Sequence, residues 1–112
     1  MRPIYHIVPA SSWNELALEP YQHASLDTEG FIHCSYSNQV AGVANLFYGD
    51  EAELVVLCID ADRLGAIVRE EVAPTGEIFP HVYGPISHEA LLGARRLCRG
   101  ADQRWVFIED DV

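Results

Sequence analysis

The chain has 112 residues, 49% hydrophobic and 21% charged, the proportions of one ordinary globular domain spanning 1–112. Seventeen acids against seven arginines, with no lysine, leave a net charge of -10, which repels phosphate backbones and anionic surfaces, so neither nucleic acid nor a membrane is an expected partner. No apolar run reaches the ~18 residues of a membrane span, and the N-terminal text breaks at Pro9 instead of forming a signal sequence, so the cytoplasm is the expected compartment.

In chain order, "IYHIV" (4–8) is β-branched and aromatic and stops at a proline, which predicts a strand. "SSWNELAL" follows with Ser12 and Glu15 spaced as a capping box, which predicts a short helix. "LEPYQHASLDTEG" is polar and turn-rich, a loop of functional length. "FIHCS" (31–35) alternates as a second strand, and Ser37 then caps a helix in which Val40, Val43, Ala44, Phe47 and Tyr48 recur at helical spacing. "LVVLCI" (54–59) is a continuous apolar run, the mark of a central strand buried on both faces. "DADRLG" reads as one turn, "AIVREEV" as a strand nearer an edge, and "PTGE" as a turn. "IFPHVYGPI" (78–86) carries Pro80 and Pro85, which argues against a regular central strand. "HEALLGARRL" reads either as a helical turn passing into a strand or as a helix broken near Gly93, and "RWVFI" is the final strand. The sum is an α+β fold, a single domain of five to six short strands with two or three helices.

Three of the five histidines sit inside apolar strand text: His6 in "IYHIV", His33 in "FIHCS" and His81 in "FPHVYG". His23 and His88 lie in polar stretches and read as surface residues. Residues i and i+2 of a strand share a face. That sets His33 with Ser35 on one side and Ile32 with Cys34 on the other, and it sets His81 with Tyr83. A lone histidine on an apolar strand is ordinarily a hydrogen-bonded core residue. Three together, two of them followed by Ser or Tyr two positions on, point to a shared cleft of His6, His33, Ser35, His81 and Tyr83, since buried imidazoles need partners.

Three imidazoles are also a catalytic metal set. There is, however, no HxH or HxxxH pair and no acid placed as a fourth ligand, so no bound metal is expected. Cys34, Cys58 and Cys98 are widely spaced without a CxxC, which argues against a disulfide framework and a zinc ribbon. A Cys34 nucleophile would need a histidine other than His33, which alternation puts on the opposite face.

"IYHIVP", the following Trp13, "EGFIHCS…QVAGVAN" and "FPHVYGP" together resemble the family called domain of unknown function 952, over nearly the whole chain. That family is in turn similar to the ADP-ribosyltransferase-like superfamily, which includes the poly-ADP-ribose polymerases and the RNA 2'-phosphotransferases. The resemblance implies an ADP-ribosyltransferase-like fold with NAD as ligand or substrate, a small-molecule nucleotide partner. It implies His6 and Ser35 on the ribose for ADP-ribosyl transfer or NAD-glycoside cleavage, while His81 and Tyr83 occupy a segment those transferases do not usually mark this way. From the residues themselves, Tyr83 is a further ligand contact and His33 or His81 the catalytic acid or base, since imidazole titrates near neutral pH. Many of those transferases carry a catalytic glutamate on a late strand; Glu77 and Glu109 are near such positions but in no matching motif. Enzyme or non-catalytic binding module, for a small ligand or a protein, is left open by the residues, as is a metal-dependent hydrolase using the three histidines.

Overall fold

The computed structural model of the protein describes residues 3–13 and 20–107. In chain order its strands are β1 (Ile4–Pro9), β2 (Ile32–His33), β3 (Leu54–Ile59), β4 (Ile67–Val72), β5 (Ile78–Tyr83), β6 (Leu91–Arg96), β7 (Cys98–Arg99) and β8 (Trp105–Val106), with helices α1 (Ser25–Thr28) and α2 (Val40–Phe47). The fold is a small α+β domain. β1, β3 and β4 form where strands are expected, β2 and β8 are two-residue pairings inside the expected strands "FIHCS" and "RWVFI", and β7 is a pairing beyond the expectation. A helix capped at Ser12 is expected in "SSWNELAL"; the described residues there form only a 3-10 turn at Ala10–Ser12 that ends with Trp13 extended, and residues 14–18 of the segment lie outside the described residues, as does Ile108 of "RWVFI".

Two antiparallel three-stranded sheets form the body, ordered β1-β3-β6 and β2-β5-β4. β1 divides the core by simple alternation. Ile4 and Val8 pack with Ile32, Cys34, Leu57 and Val82, between the two sheets. Tyr5 and Ile7 face the other way, onto Val40 and Ala44 of α2 and onto Trp105. β3 is therefore covered on both faces, as its unbroken apolar text requires. Burial on this scale contributes about 1.5–3 kcal/mol for each large aliphatic side chain.

Among the described residues, one backbone bridge joins the two sheets. Past β2, Ser35 and Tyr5 exchange two backbone hydrogen bonds, Tyr5 N–H to Ser35 O at 2.8 Å and Ser35 N–H to Tyr5 O at 2.7 Å. α2 covers Tyr5 and Ile7 with Val40 and Ala44. Asn45 ties the helix to β8, donating to Trp105 O at 3.0 Å and accepting from Trp105 N–H at 2.7 Å. Phe47, assigned to the apolar stripe from its spacing, is instead exposed, because the helix ends at that residue.

β5 corrects a second expectation. It is the central strand of its sheet, with Pro80 in the middle. A proline removes one donor, and here the loss falls on one side only. Cys34 N–H donates to Pro80 O at 3.1 Å, so the Pro80 backbone faces β2, whose ladder ends at His33. On the β4 side, Phe79, His81 and Tyr83 pair with Glu71, Arg69 and Ile67 without interruption. Gly84 ends the strand where a Cβ would lie 2.8 Å from Cβ of Ala66.

The polar loop before β2 is folded back onto the body. Tyr21 and Ile86 exchange two backbone hydrogen bonds of 2.9 Å. α1 closes at Gly30, whose φ of +88° and N–H to Ser25 O (3.0 Å) make a left-handed helix stop and aim the chain into β2. "HEALLGARRL" takes the first of its two readings, a 3-10 turn at His88–Ala90 passing into β6. Among the described residues no helix is long and apolar enough to cross a membrane.

Candidate functional site

Alternation in β2 and β5 builds two separate polar groups, one on the outer face of the β2-β5-β4 sheet and one inside the molecule. On the outer face, His33 stands opposite His81 in the ladder, their rings edge to face at 5.2 Å. Phe31, two residues before His33 and so on the same face, stacks on His81 at 4.1 Å and 15°. It also meets His33 at 4.8 Å and Tyr83 at 5.3 Å. The inner residues of the same strands, Ile32, Pro80 and Val82, are fully buried.

Two glutamates hold this ring surface. His81 donates its Nδ1–H to Glu71 Oε1 at 2.7 Å, and the Tyr83 hydroxyl donates to the same oxygen at 2.5 Å. These bonds, Tyr83 first and His81 second, hold the Glu71 carboxyl below its usual range, and the same bond raises the Tyr83 phenol. At the other end His33 donates Nε2–H to Glu29 Oε2 at 2.6 Å. Glu29 caps α1 and so stands beside the start of β2. The Arg69 guanidinium lies 5.3 Å over the Tyr83 ring. The His33 side chain is 56% exposed and that of His81 14%. One imidazole is therefore open, and the other is clamped between Phe31 and Glu71.

The inner group centres on His6, only 3% exposed. Its Nδ1–H donates to His33 O at 2.7 Å, and its Nε2 accepts from the Tyr21 hydroxyl at 3.0 Å. Both nitrogens are engaged by groups that suit a neutral ring. Burial pushes its pKa down to about 4, against the hydrogen bond to His33 O, which raises it. Burial likewise raises the Tyr21 phenol. His23 approaches the His6 ring at 5.3 Å, and its Nδ1 accepts from Ser25 N–H at 3.0 Å. His23 is thus half-buried and partnered, not the surface residue its polar text suggested, because the Tyr21–Ile86 bridge pins the loop down.

Of the five residues expected to line one cleft, the structure brings His33, His81 and Tyr83 together. His6 faces the interior, and Ser35, 4% exposed, sits at the junction with β1. The division follows from the chain itself: β1 belongs to the other sheet, and β2 leaves β5 at Cys34 to join it. The three histidines therefore do not converge as a metal set, and among the described residues no group of three His, Cys, Asp or Glu is placed to hold a metal ion. Cys34 is buried with Ile32, as alternation expected, and burial raises its thiol far above the reactive range. Phe31, Glu29 and Glu71 are the residues that pattern reading missed.

Fold and site together define a small α+β domain of two joined antiparallel sheets, carrying an exposed imidazole–aromatic face backed by carboxylates. The chain belongs to the family described as protein of unknown function (DUF952), whose model matches residues 7–94. It is similar to protein CC0527 from Caulobacter crescentus. The crystal structure of that protein is 28% identical, with 93% of each chain covered and a TM-score of 0.80. Its solution NMR structure is 29% identical, covers 93% of this chain and 91% of that one, and has a TM-score of 0.74. No curated protein matches the chain.

Proposed function

We propose that the protein binds NAD or a related nucleotide on the outer face of the β2-β5-β4 sheet, with Phe31, His33, His81 and Tyr83 as the contact surface. The observation that carries this reading is the Phe31–His81 stack flanked by His33 and Tyr83. Rings presented together at a surface offer a flat heteroaromatic group both stacking and hydrogen bonds. Glu71 and Arg69 beside them suit ribose hydroxyls and a phosphate respectively. The resemblance to ADP-ribosyltransferase-like proteins selects NAD among nucleotides. In this reading His6 and Ser35 do not touch the ligand. His6 holds β2 in place through the His33 carbonyl, and Ser35 does so through the bridge to Tyr5.

The same face supports acid–base chemistry. With Nδ1–H fixed on Glu71, a neutral His81 has its lone pair on Nε2, the form a general base requires. In NAD-glycoside cleavage the C1'–N bond breaks and its electron pair leaves with nicotinamide. An oxygen of water or of an acceptor hydroxyl bonds C1', and its proton passes to His81.

The test is a thermal-shift and NMR titration of the full chain with NAD, ADP-ribose and nicotinamide, followed by assay of nicotinamide release. Binding at ~100 times the dissociation constant stabilises by about 2.7 kcal/mol, a shift easily seen for a domain this small. A response to NAD in wild type that is weakened in Phe31→Ala is expected. No response to any of the three compounds overturns the proposal, and binding without nicotinamide release makes the protein a non-catalytic module.

A further inference from the structure

We propose that two copies of the chain associate through their β4 strands, antiparallel about a two-fold axis at Glu70, so that Arg69 of each lies opposite Glu71 of the other. β4 is the outer strand of its sheet, and the position of Pro80 fixes which of its backbone groups face outward. Because Pro80 O accepts from Cys34 N–H, the Pro80 backbone faces β2. By alternation, His81 then turns its N–H and C=O toward Arg69. On β4, Ile67, Arg69 and Glu71 therefore bond to β5. Val68, Glu70 and Val72 direct their N–H and C=O groups outward, where no described strand meets them. Such a row of donors and acceptors is a template for another strand.

The side chains of β4 say which strand. An axis at Glu70 sets Val68 opposite Val72, Arg69 opposite Glu71 and Ile67 opposite Ala73, each pair on one face of the joined sheet. Ile67 and Val72, 60% and 70% exposed, then meet apolar partners in place of water. The Arg69–Glu71 pairing occurs twice, and all three outward-facing residues exchange hydrogen bonds with their counterparts. Glu70 opposes its own copy, but its carboxylate is drawn away by the Tyr36 hydroxyl, which donates to it at 2.5 Å. An axis at Arg69 instead would set Arg69 against itself and the apolar Val68 and Ile67 against Glu70 and Glu71. Charges on an edge strand ordinarily keep other chains off. Here their order, Arg then Glu two residues later, complements its own reverse, and that singles out a second copy as the occupant.

Sedimentation velocity of the full chain from micromolar to near-millimolar concentration tests this, with a concentration-dependent shift from monomer to dimer expected. Arg69→Glu and Glu71→Arg each put like charges opposite one another in a homodimer, and each is expected to weaken it about tenfold or more. Mixed in equal amounts, the two variants restore opposite charges at both positions, and dimer is expected to return. Glu70→Pro deletes an outward N–H that the β4–β5 ladder does not use, so it is expected to be monomeric with an unchanged circular dichroism spectrum. It keeps the proposal testable should Glu71→Arg fail to fold. Wild type that stays monomeric throughout, a dimer indifferent to Arg69→Glu and Glu70→Pro, or folded charge variants that do not recover on mixing would each overturn it.

Discussion

His6 and His33 are joined by a hydrogen bond from the His6 Nδ1–H to the His33 carbonyl oxygen, 2.7 Å long. The side chain of one histidine thus fixes the backbone of the other. The buried ring on β1 holds the strand that presents the exposed ring on β2, linking the core to the candidate site.

The first prediction concerns pH. The His6 pKa is about 4 in the folded chain against an ordinary 6.5. Between these values the unfolded chain binds a proton at this residue that the folded chain does not, so stability is full above about pH 6.5 and falls as pH drops toward 4. The two-and-a-half-unit difference corresponds to about 3 kcal/mol from this residue. Urea denaturation at several pH values reads the slope, and the His6 ring carbon resonance reads the titration. A folded-state midpoint near 6.5 would show that the ring is not held neutral by burial.

Thiol reactivity is the second. Cys98 is exposed, Cys58 intermediate and Cys34 buried, with its thiol raised by burial. Native protein treated with a thiol reagent should label fast at Cys98 and at Cys34 only through opening of the fold. Cys34→Ser puts a hydroxyl among Ile32, Leu57 and Val82 and should cost about 1–3 kcal/mol. Rapid labelling of Cys34 by mass spectrometry would invert the face assignment of β2.

A third prediction tests the ladder directly. Arg69→Pro removes a donor that bonds β5 and should cost about 3 kcal/mol, because the strand loses a ladder bond beside His81. Glu70→Pro removes an N–H at the free edge and should cost about 1 kcal/mol or less, mostly the exposed bond from Tyr36. A larger loss for Glu70→Pro than for Arg69→Pro in the two denaturation curves would mean the outward and inward residues of β4 are exchanged.

The sequence reading succeeded where a local period decided the outcome. "IYHIVP" and "LVVLCI" became β1 and β3, and alternation correctly put Cys34 with Ile32. It failed where the outcome depended on which neighbour a residue faces. Pro80 was read as a breaker because text does not show that its missing donor points to the side where β2 has ended. His23 was read as exposed because the bridge from Tyr21 to Ile86 joins residues far apart in the chain. Glu71 was missed although a signal existed. Once the "PTGE" turn closes Val72 on Ile78, Glu71 must share a face with Phe79 and His81. The grouping of His6 with His33 failed for the same reason as Pro80, since sharing an apolar context does not place two strands in one sheet.

The last prediction separates structural from functional roles on the outer face. The His33 ring is more than half exposed, and its side-chain hydrogen bond is to a surface glutamate. His33→Ala should therefore change stability by no more than about 0.5–1 kcal/mol, since exposed pairs contribute little. Phe31→Ala removes the ring stacked on His81 and should loosen that imidazole from Glu71, shifting its ring resonances while the core stays intact. If the face binds a nucleotide, His33→Ala should weaken binding by about 1.5–3 kcal/mol where the imidazole makes a charged hydrogen bond, and by less where it is neutral. Phe31→Ala should weaken it by at least the ~0.5–1.5 kcal/mol of a ring pair. One denaturation curve and one titration per variant decide the matter. A large loss of stability in His33→Ala with unchanged affinity would make that imidazole a structural strut and remove it from the site. Unchanged stability with weakened binding would place both rings in contact with the ligand.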